Sequence, residues 1–187
     1  MQPMKLVRLT ILVFFAAASV PARADDADAT VVFDGVAFHQ ASDEKNARER
    51  LREYLPEGES FARAGAPETW TRLVSIREIA DVDDPEAAAR GLVAQLQASN
   101  PLAPSQVAVN PSTGEVLVDF VTWPDDGSFS EFNVFKYAKA RKGGGIVISQ
   151  YARRSYGDEA REAFFAELKR ERPRLVELMA KAELLRK

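Results

Sequence analysis

Alternation of apolar and polar residues organises most of this chain. Val31, Val32, Phe33, Val36 and Phe38 flank Asp34-Gly35, a dipeptide suited to a tight turn, so a small hairpin is expected over Thr30–Phe38. The stretch from Ala41 to Leu55 fits two periods. Ala47, Leu51, Tyr54 and Leu55 keep helical spacing, whereas Leu51, Glu53 and Leu55 share one face of a strand, and Pro56 stops either element. A strand from about Arg50 to Leu55 is the favoured reading. Pro56-Glu57-Gly58-Glu59 reads as a turn and Phe61 to Pro67 as an exposed loop. Trp70 to Ile79 alternates again, with Trp70, Val74 and Ile76 on one face and Leu73 and Ile79 on the other, which predicts a strand.

The period then changes. Asp84-Pro85-Glu86 is a helix start, because Asp84 can accept orphan amide hydrogens and Pro85 suits the first helical position. Ala88, Leu92, Leu96 and Ser99 continue one face until Asn100-Pro101. Beyond it, turn signals at Asn110 to Gly114, Pro124 to Gly127 and Lys142 to Gly145 separate four β-rich runs: Gln106 to Val109, Glu115 to Trp123, Phe129 to Ala140 and Ile146 to Arg153. Short connections of this kind predict a four-stranded antiparallel meander. From Gly157 a helical stripe returns with Ala160, Phe164, Phe165 and Leu168, Asp158 offering a cap. Pro173 is expected to break or kink it before a second segment carrying Val176, Met179, Leu184 and Leu185. The expected fold is α+β: an antiparallel sheet of N-terminal strands plus the meander, packed against a central and a C-terminal helix, with one sheet face covered and the other solvated.

The first residues carry a different pattern. Lys5 and Arg8 precede an apolar run from Leu9 to Val20, and Ala22 and Ala24 satisfy the small-x-small cleavage rule, so export with cleavage after Ala24 is expected. The run is short of the ~20 residues that cross a bilayer, and the acidic Asp25-Asp26-Ala27-Asp28 follows it. No Cys follows for a lipoprotein anchor. Residues 1–24 are therefore expected to be a signal peptide and 25–187 a single periplasmic domain. The sequence holds 25 Lys and Arg against 28 Asp and Glu; without Lys5, Arg8 and Arg23 the net charge becomes −6, a surface that does not seek nucleic acid or anionic lipid. There is no Cys and one His, which excludes disulfides, thiol catalysis and Cys-based metal sites.

Little catalytic patterning remains. His39, after an apolar run, reads as a strand-end residue, and neither a zinc-protease motif nor a nucleophile elbow is present. Asp81-Val82-Asp83-Asp84 reads as turn and helix cap, since it lacks the central Gly and terminal Glu of a calcium loop. Gly143-Gly144-Gly145 joins two strands, unlike phosphate loops that lead into a helix. Neither a cofactor nor a metal is expected.

The last hairpin is more informative. A turn centred on Gly143-Gly144 places Tyr137 near Gln150, Asn133 near Arg154 and Glu131 near Tyr156. Glu131, Asn133, Tyr137, Arg154 and Tyr156 would then gather at one sheet end. Two readings stand: a polar pocket in which Arg154 grips a carboxylate or phosphate in two-point fashion, and a cross-strand salt bridge worth about 0.2–1 kcal/mol when exposed. The second is the simpler. Lys136, Lys139, Arg141, Lys142 and Arg153 add to the basic character of this hairpin, which could meet an acidic partner or serve as a solvated edge.

Glu53-Tyr54-Leu55-Pro56-Glu57-Gly58-Glu59, Trp70-Thr71 leading a strand, and Glu131-Phe132-Asn133-Val134-Phe135-Lys136-Tyr137 resemble patterns in a group of uncharacterised exported proteins of Gram-negative bacteria. The loop from Ser60 to Thr69 is longer than that group's spacer. Element order is also similar to the sandwich of the PsbP-like (DcrB-like) proteins, which include a photosystem accessory subunit and a bacterial periplasmic protein. The resemblance implies a fold and an accessory role, and it carries over no catalytic residue. A non-catalytic envelope accessory or binding protein is thus expected. The alternatives are a small-ligand binder using the same polar cluster, and a hydrolase pairing Glu131 with Glu53 or Asp119.

Overall fold

The computed structural model of the chain describes residues 30–62 and 68–184. The expected signal peptide, residues 1–24, lies outside the described residues, as does part of the loop before Trp70. Ten elements follow one another: β1 (Thr30–Phe33), β2 (Val36–Lys45), β3 (Glu49–Pro56), β4 (Arg72–Ile79), α1 (Pro85–Ser99), β5 (Ser105–Val109), β6 (Val116–Thr122), β7 (Phe129–Lys139), β8 (Ile146–Tyr156) and α2 (Asp158–Lys181). The strands form one sheet in the order β1-β2-β3-β4-β8-β7-β6-β5, every neighbouring pair antiparallel. β4 runs into α1, the chain restarts at the far edge as β5, and it works back until β8 closes against β4 in the middle.

Local chemistry explains most boundaries. Asp34 and Gly35 both take positive φ (51° and 73°), the mirror-image turn that matches strand twist, and they join β1 to β2. The Asp84 carboxylate accepts from the amides of Glu86 and Ala87 at 2.9 and 3.0 Å, capping α1 with Pro85 in its first turn. The ambiguous stretch from Ala41 to Leu55 is a hairpin, with β2 reaching Lys45. Its outer half lacks an apolar face, and pairing with β3 holds it extended: Ser42 donates to Glu53 at 2.8 Å, and Arg50 grips both oxygens of Asp43 at 3.0 and 2.7 Å.

Four expectations are corrected. Trp70 shares the Leu73 side, with Leu55 and Ala152, and not the Val74 side. The strand begins only at Arg72, because Glu59 accepts from the amides of Thr71 and Arg72 (2.6 and 3.1 Å) and bends the chain there. Pro173 lies inside one continuous α2, on its exposed side, where the carbonyl it frees can face water. Gly157, not Asp158, is the N-cap of α2, and it makes no side-chain cap bond; Asp158 is the first helical residue and pairs with Arg161.

Both faces of the sheet carry a helix. α2 covers Phe38, Tyr54, Val74, Ile76, Phe132, Val134 and Tyr151 through Phe164, Leu168, Leu175 and Met179. α1 covers the alternate residues Val116, Val118, Phe120, Tyr137 and Ile146 through Ala89 and Leu96. Neither face is solvated throughout, because β5 to β8 alternate two apolar sets, each of which must be buried. Where α1 stops short, a third cluster of Leu55, Trp70, Leu73 and Ala152 takes over, and the candidate site lies beside it.

Candidate functional site

The β7–β8 hairpin closes two residues away from the expected register. Ala140 N–H donates to the Gly145 carbonyl at 2.9 Å, so the connection is centred between Lys142 and Gly143 and its three glycines lie on one side. Gly145 is forced there. It packs so tightly against β4 that a Cβ would fall 2.1 Å from the Ile79 carbonyl oxygen, while its amide donates to Asp83 at 3.1 Å. A two-residue shift preserves facing, so the polar residues still share a side, but Glu131 now stands opposite Arg154, Asn133 opposite Ala152 and Phe129 opposite Tyr156.

Arg154 is the hub. Its Nε and Nη2 lie 2.8 and 2.6 Å from Glu131 Oε2, and its Nη1 pairs with Glu68. The guanidinium is sandwiched between rings, 3.8 Å from the Trp70 centroid and 3.9 Å from that of Phe129. Trp70 Nε1 donates to the other oxygen of Glu68 at 2.9 Å, and the Tyr156 hydroxyl donates to the Trp70 carbonyl at 2.8 Å. From Glu131 the network runs inward: Asn133 donates to its Oε1 (2.8 Å), Gln150 donates to Asn133 (2.7 Å), and Ser75 donates to Gln150 (2.9 Å), linking β7, β8 and β4. Burial opposes the charge of Arg154, yet the two carboxylates and the bond to Tyr156 hold its pKa above the usual value. The two-point grip foreseen for a ligand is made on the protein's own Glu131 and Glu68, and Arg154 keeps only 7% of its surface exposed.

Glu131, Asn133, Arg154 and Tyr156 are thus brought together. Tyr137 is not: it lies opposite Val116 and Ile148, four residues along β7 from Asn133, in the apolar cluster under α1, and burial pushes its hydroxyl pKa well above the ordinary range. Sequence reasoning missed Glu68, Trp70, Phe129, Gln150 and Ser75 as members of this network. Glu68 and Trp70 precede β4, and no periodicity connects them to Arg154. The expected basic end is largely neutralised within the molecule: Lys136 donates to the carbonyls of Ala180 and Ala182 and pairs with Glu115, Arg153 pairs with Glu167 and Glu171, and Arg141 pairs with Glu183.

The proposed carboxylate pairs do not meet. Asp119 points to the α2 side, where Arg172 Nε lies 2.5 Å away, opposite to the side of Glu131. Glu53 shares the Glu131 side but stands three strands away, about 14 Å across at ordinary strand spacing, and level with Phe135, four residues or about 13 Å along β7 from Glu131. His39 is exposed, its Nδ1 3.4 Å from the Thr30 hydroxyl.

On the opposite sheet side a cleft of about 400 Å³ opens between α2 and the β1–β2 turn. Arg72 and Arg153 stand directly opposite each other on its floor, with Tyr151 beside them. Arg153 is held by Glu167 and Glu171 at 3.0 and 2.7 Å, and Arg174 clasps both oxygens of Asp34. Hydrogen bonding to Arg174 holds the Asp34 carboxyl below its usual value, against some burial. Arg72 has no ion-pair partner among the described residues.

The fold and these sites define an α+β protein built on an open eight-stranded antiparallel sheet with two helices. A protein-family model matches residues 26–184, and the chain belongs to that family, an uncharacterised bacterial one. No curated protein matches the sequence. Among the described residues, no helix is long and apolar enough to cross a membrane.

Proposed function

We propose that this is an exported periplasmic protein that serves, without catalysis of its own, as an accessory or binding partner of another envelope component, contacting it through the sheet end where Arg154 anchors the segment between β3 and β4. The observation that carries the reading is the buried clamp of Arg154 on Glu131, Glu68 and Trp70. Replacing a buried ion pair by apolar groups of equal volume is often neutral or stabilising, so the reading rests on what this pair positions rather than on what it adds to stability. Here it fixes the approach to β4, with Glu59 holding Thr71 and Arg72 at its other end. The part of the sheet-end surface formed by Glu59, Glu68, Thr71 and Tyr156 is held in place before any partner arrives, which lowers the ordering cost of binding.

Likeness in element order to the PsbP-like proteins, an accessory subunit among them, supports the same role, and the Lys5-to-Ala24 pattern supports the address. The test is crosslinking and co-purification from the envelope with wild type and with the double variant Arg154→Met/Glu131→Gln, whose folding is checked by circular dichroism. Loss of the captured partner in the folded double variant supports the assignment. Undiminished capture would move the contact elsewhere on the molecule.

A further inference from the structure

We infer that the cleft between α2 and the β1–β2 turn is a binding site for a carboxylate borne on a short apolar body, gripped by Arg72 and the Tyr151 hydroxyl. The inference goes beyond the proposed accessory role: the cleft borders Thr71 and Arg154, but Arg72 and Tyr151, which make the grip, alternate with Leu73 and Ala152 and so face the opposite side of the sheet from the Arg154 clamp.

Electrostatics motivates it. Arg72 and Arg153 are directly opposed across β4 and β8, and like charges in that relation repel. Glu167 and Glu171 neutralise Arg153, and Asp34 pairs with Arg174, which leaves Arg72 as the cleft arginine with no carboxylate of the described residues within ion-pair distance, although Asp34 lies near enough to feel its charge. Its planar fork suits a carboxylate in two-point fashion. Tyr151 supplies a second donor. Its ring is packed against Phe33 and Phe38, so its direction is fixed, and its hydroxyl engages no hydrogen-bond partner among the described residues. Burial pushes the Tyr151 pKa up to about 12, so the group keeps its proton and donates. Val36 and Phe164 give the cleft an apolar wall, and its volume is at the small end of ligand sites, room for a short side chain and little more. The carboxylate could arrive on a free organic acid or at a peptide C-terminus, and the chemistry of recognition is the same.

Thermal shift and amide-resonance titration of the purified protein test this with isovalerate, N-acetyl-leucine, an acetyl-Gly-Gly-Leu peptide, the same peptide amidated at its C-terminus, and inorganic phosphate. At about one hundred times the dissociation constant a carboxylate probe should raise the melting temperature by roughly 5–10 °C, with shifts at Arg72 and Tyr151. Binding by isovalerate assigns the source to a free acid; binding by the free peptide alone assigns it to a chain terminus. Arg72→Gln should weaken binding at least tenfold while leaving the unliganded protein as stable as wild type, because it also relieves the repulsion with Arg153. Tyr151→Phe should weaken it several-fold, and Arg90→Gln, on exposed α1, should leave it unchanged. Equal binding of the amidated peptide, preference for phosphate, wild-type affinity in Arg72→Gln, or no response to any probe would each overturn the site.

Discussion

At the scale of single residues, the Arg154 clamp is where charge and burial are most closely matched. Removing the cation leaves Glu131 with 9% of its surface exposed and no countercharge, the expensive half of a broken buried pair. Arg154→Met should therefore cost about 3–5 kcal/mol in urea unfolding. Glu68→Gln should cost less, about 1–2 kcal/mol, since the side chain of Glu68 is 25% exposed and its single amide oxygen can still accept from one of the two donors, Arg154 or Trp70, while the other turns to water. Adding Glu131→Gln to Arg154→Met should recover part of the loss, because the stranded charge disappears with it. Strict additivity of the two losses would contradict the coupling. The sequence told that Glu131, Asn133, Arg154 and Tyr156 share a sheet end, because alternation survives any even error in register. It did not tell that the cluster is closed, because the closing groups, Glu68 and the Trp70 ring, arrive from an aperiodic segment 86 residues away from Arg154.

At the scale of elements, what was legible depended on whether a local rule or a distant contact set the geometry. α1 was readable to the residue because Asp84, Pro85 and Asn100 act within one turn of the helix ends. The outer half of β2 was not, since Ser42 and Asp43 are extended only because Glu53 and Arg50 face them. The β7–β8 turn misled for a related reason: a glycine triplet marks the middle of a free hairpin, but here Gly145 is required by the Ile79 carbonyl of another strand. That contrast is measurable. Gly143 and Gly145 have nearly the same positive φ (81° and 86°), yet a Cβ at Gly143 meets nothing within 4 Å. Gly143→Ala should cost about 1 kcal/mol, the conformational term alone, and Gly145→Ala roughly 3 kcal/mol or more, because backbone must move. Equal losses in denaturant midpoints would show that the hairpin tip does not dock on the end of β4.

At the scale of the whole molecule, three carboxylates give the stability profile opposing slopes. Asp34 and Asp43 are held below their usual values, chiefly by hydrogen bonds from Arg174 and Arg50, so their stabilisation is present above the unfolded carboxylate pKa and fades as pH falls through their folded values. Glu53 runs the other way. Burial raises its pKa against the hydrogen bond from Ser42, so the folded state binds its proton more tightly than the unfolded chain does. Its contribution is fully present below the ordinary glutamate pKa, near 4.5, and is lost as pH rises through the raised folded value. Above that window the ionised side chain is a net burden on the sheet side that α1 leaves uncovered. Glu53→Gln keeps an acceptor for Ser42 and abolishes the titration. The variant should therefore exceed wild type in unfolding free energy at pH 7, and the gap should narrow through the window and close below about pH 4.5, where protonated Glu53 and its amide replacement are nearly isosteric. Urea unfolding of both proteins across that range reads the gap directly. A gap independent of pH would mean that the ionisation of Glu53 is not coupled to folding, and a gap of opposite sign would mean that its charge is stabilised in the folded state.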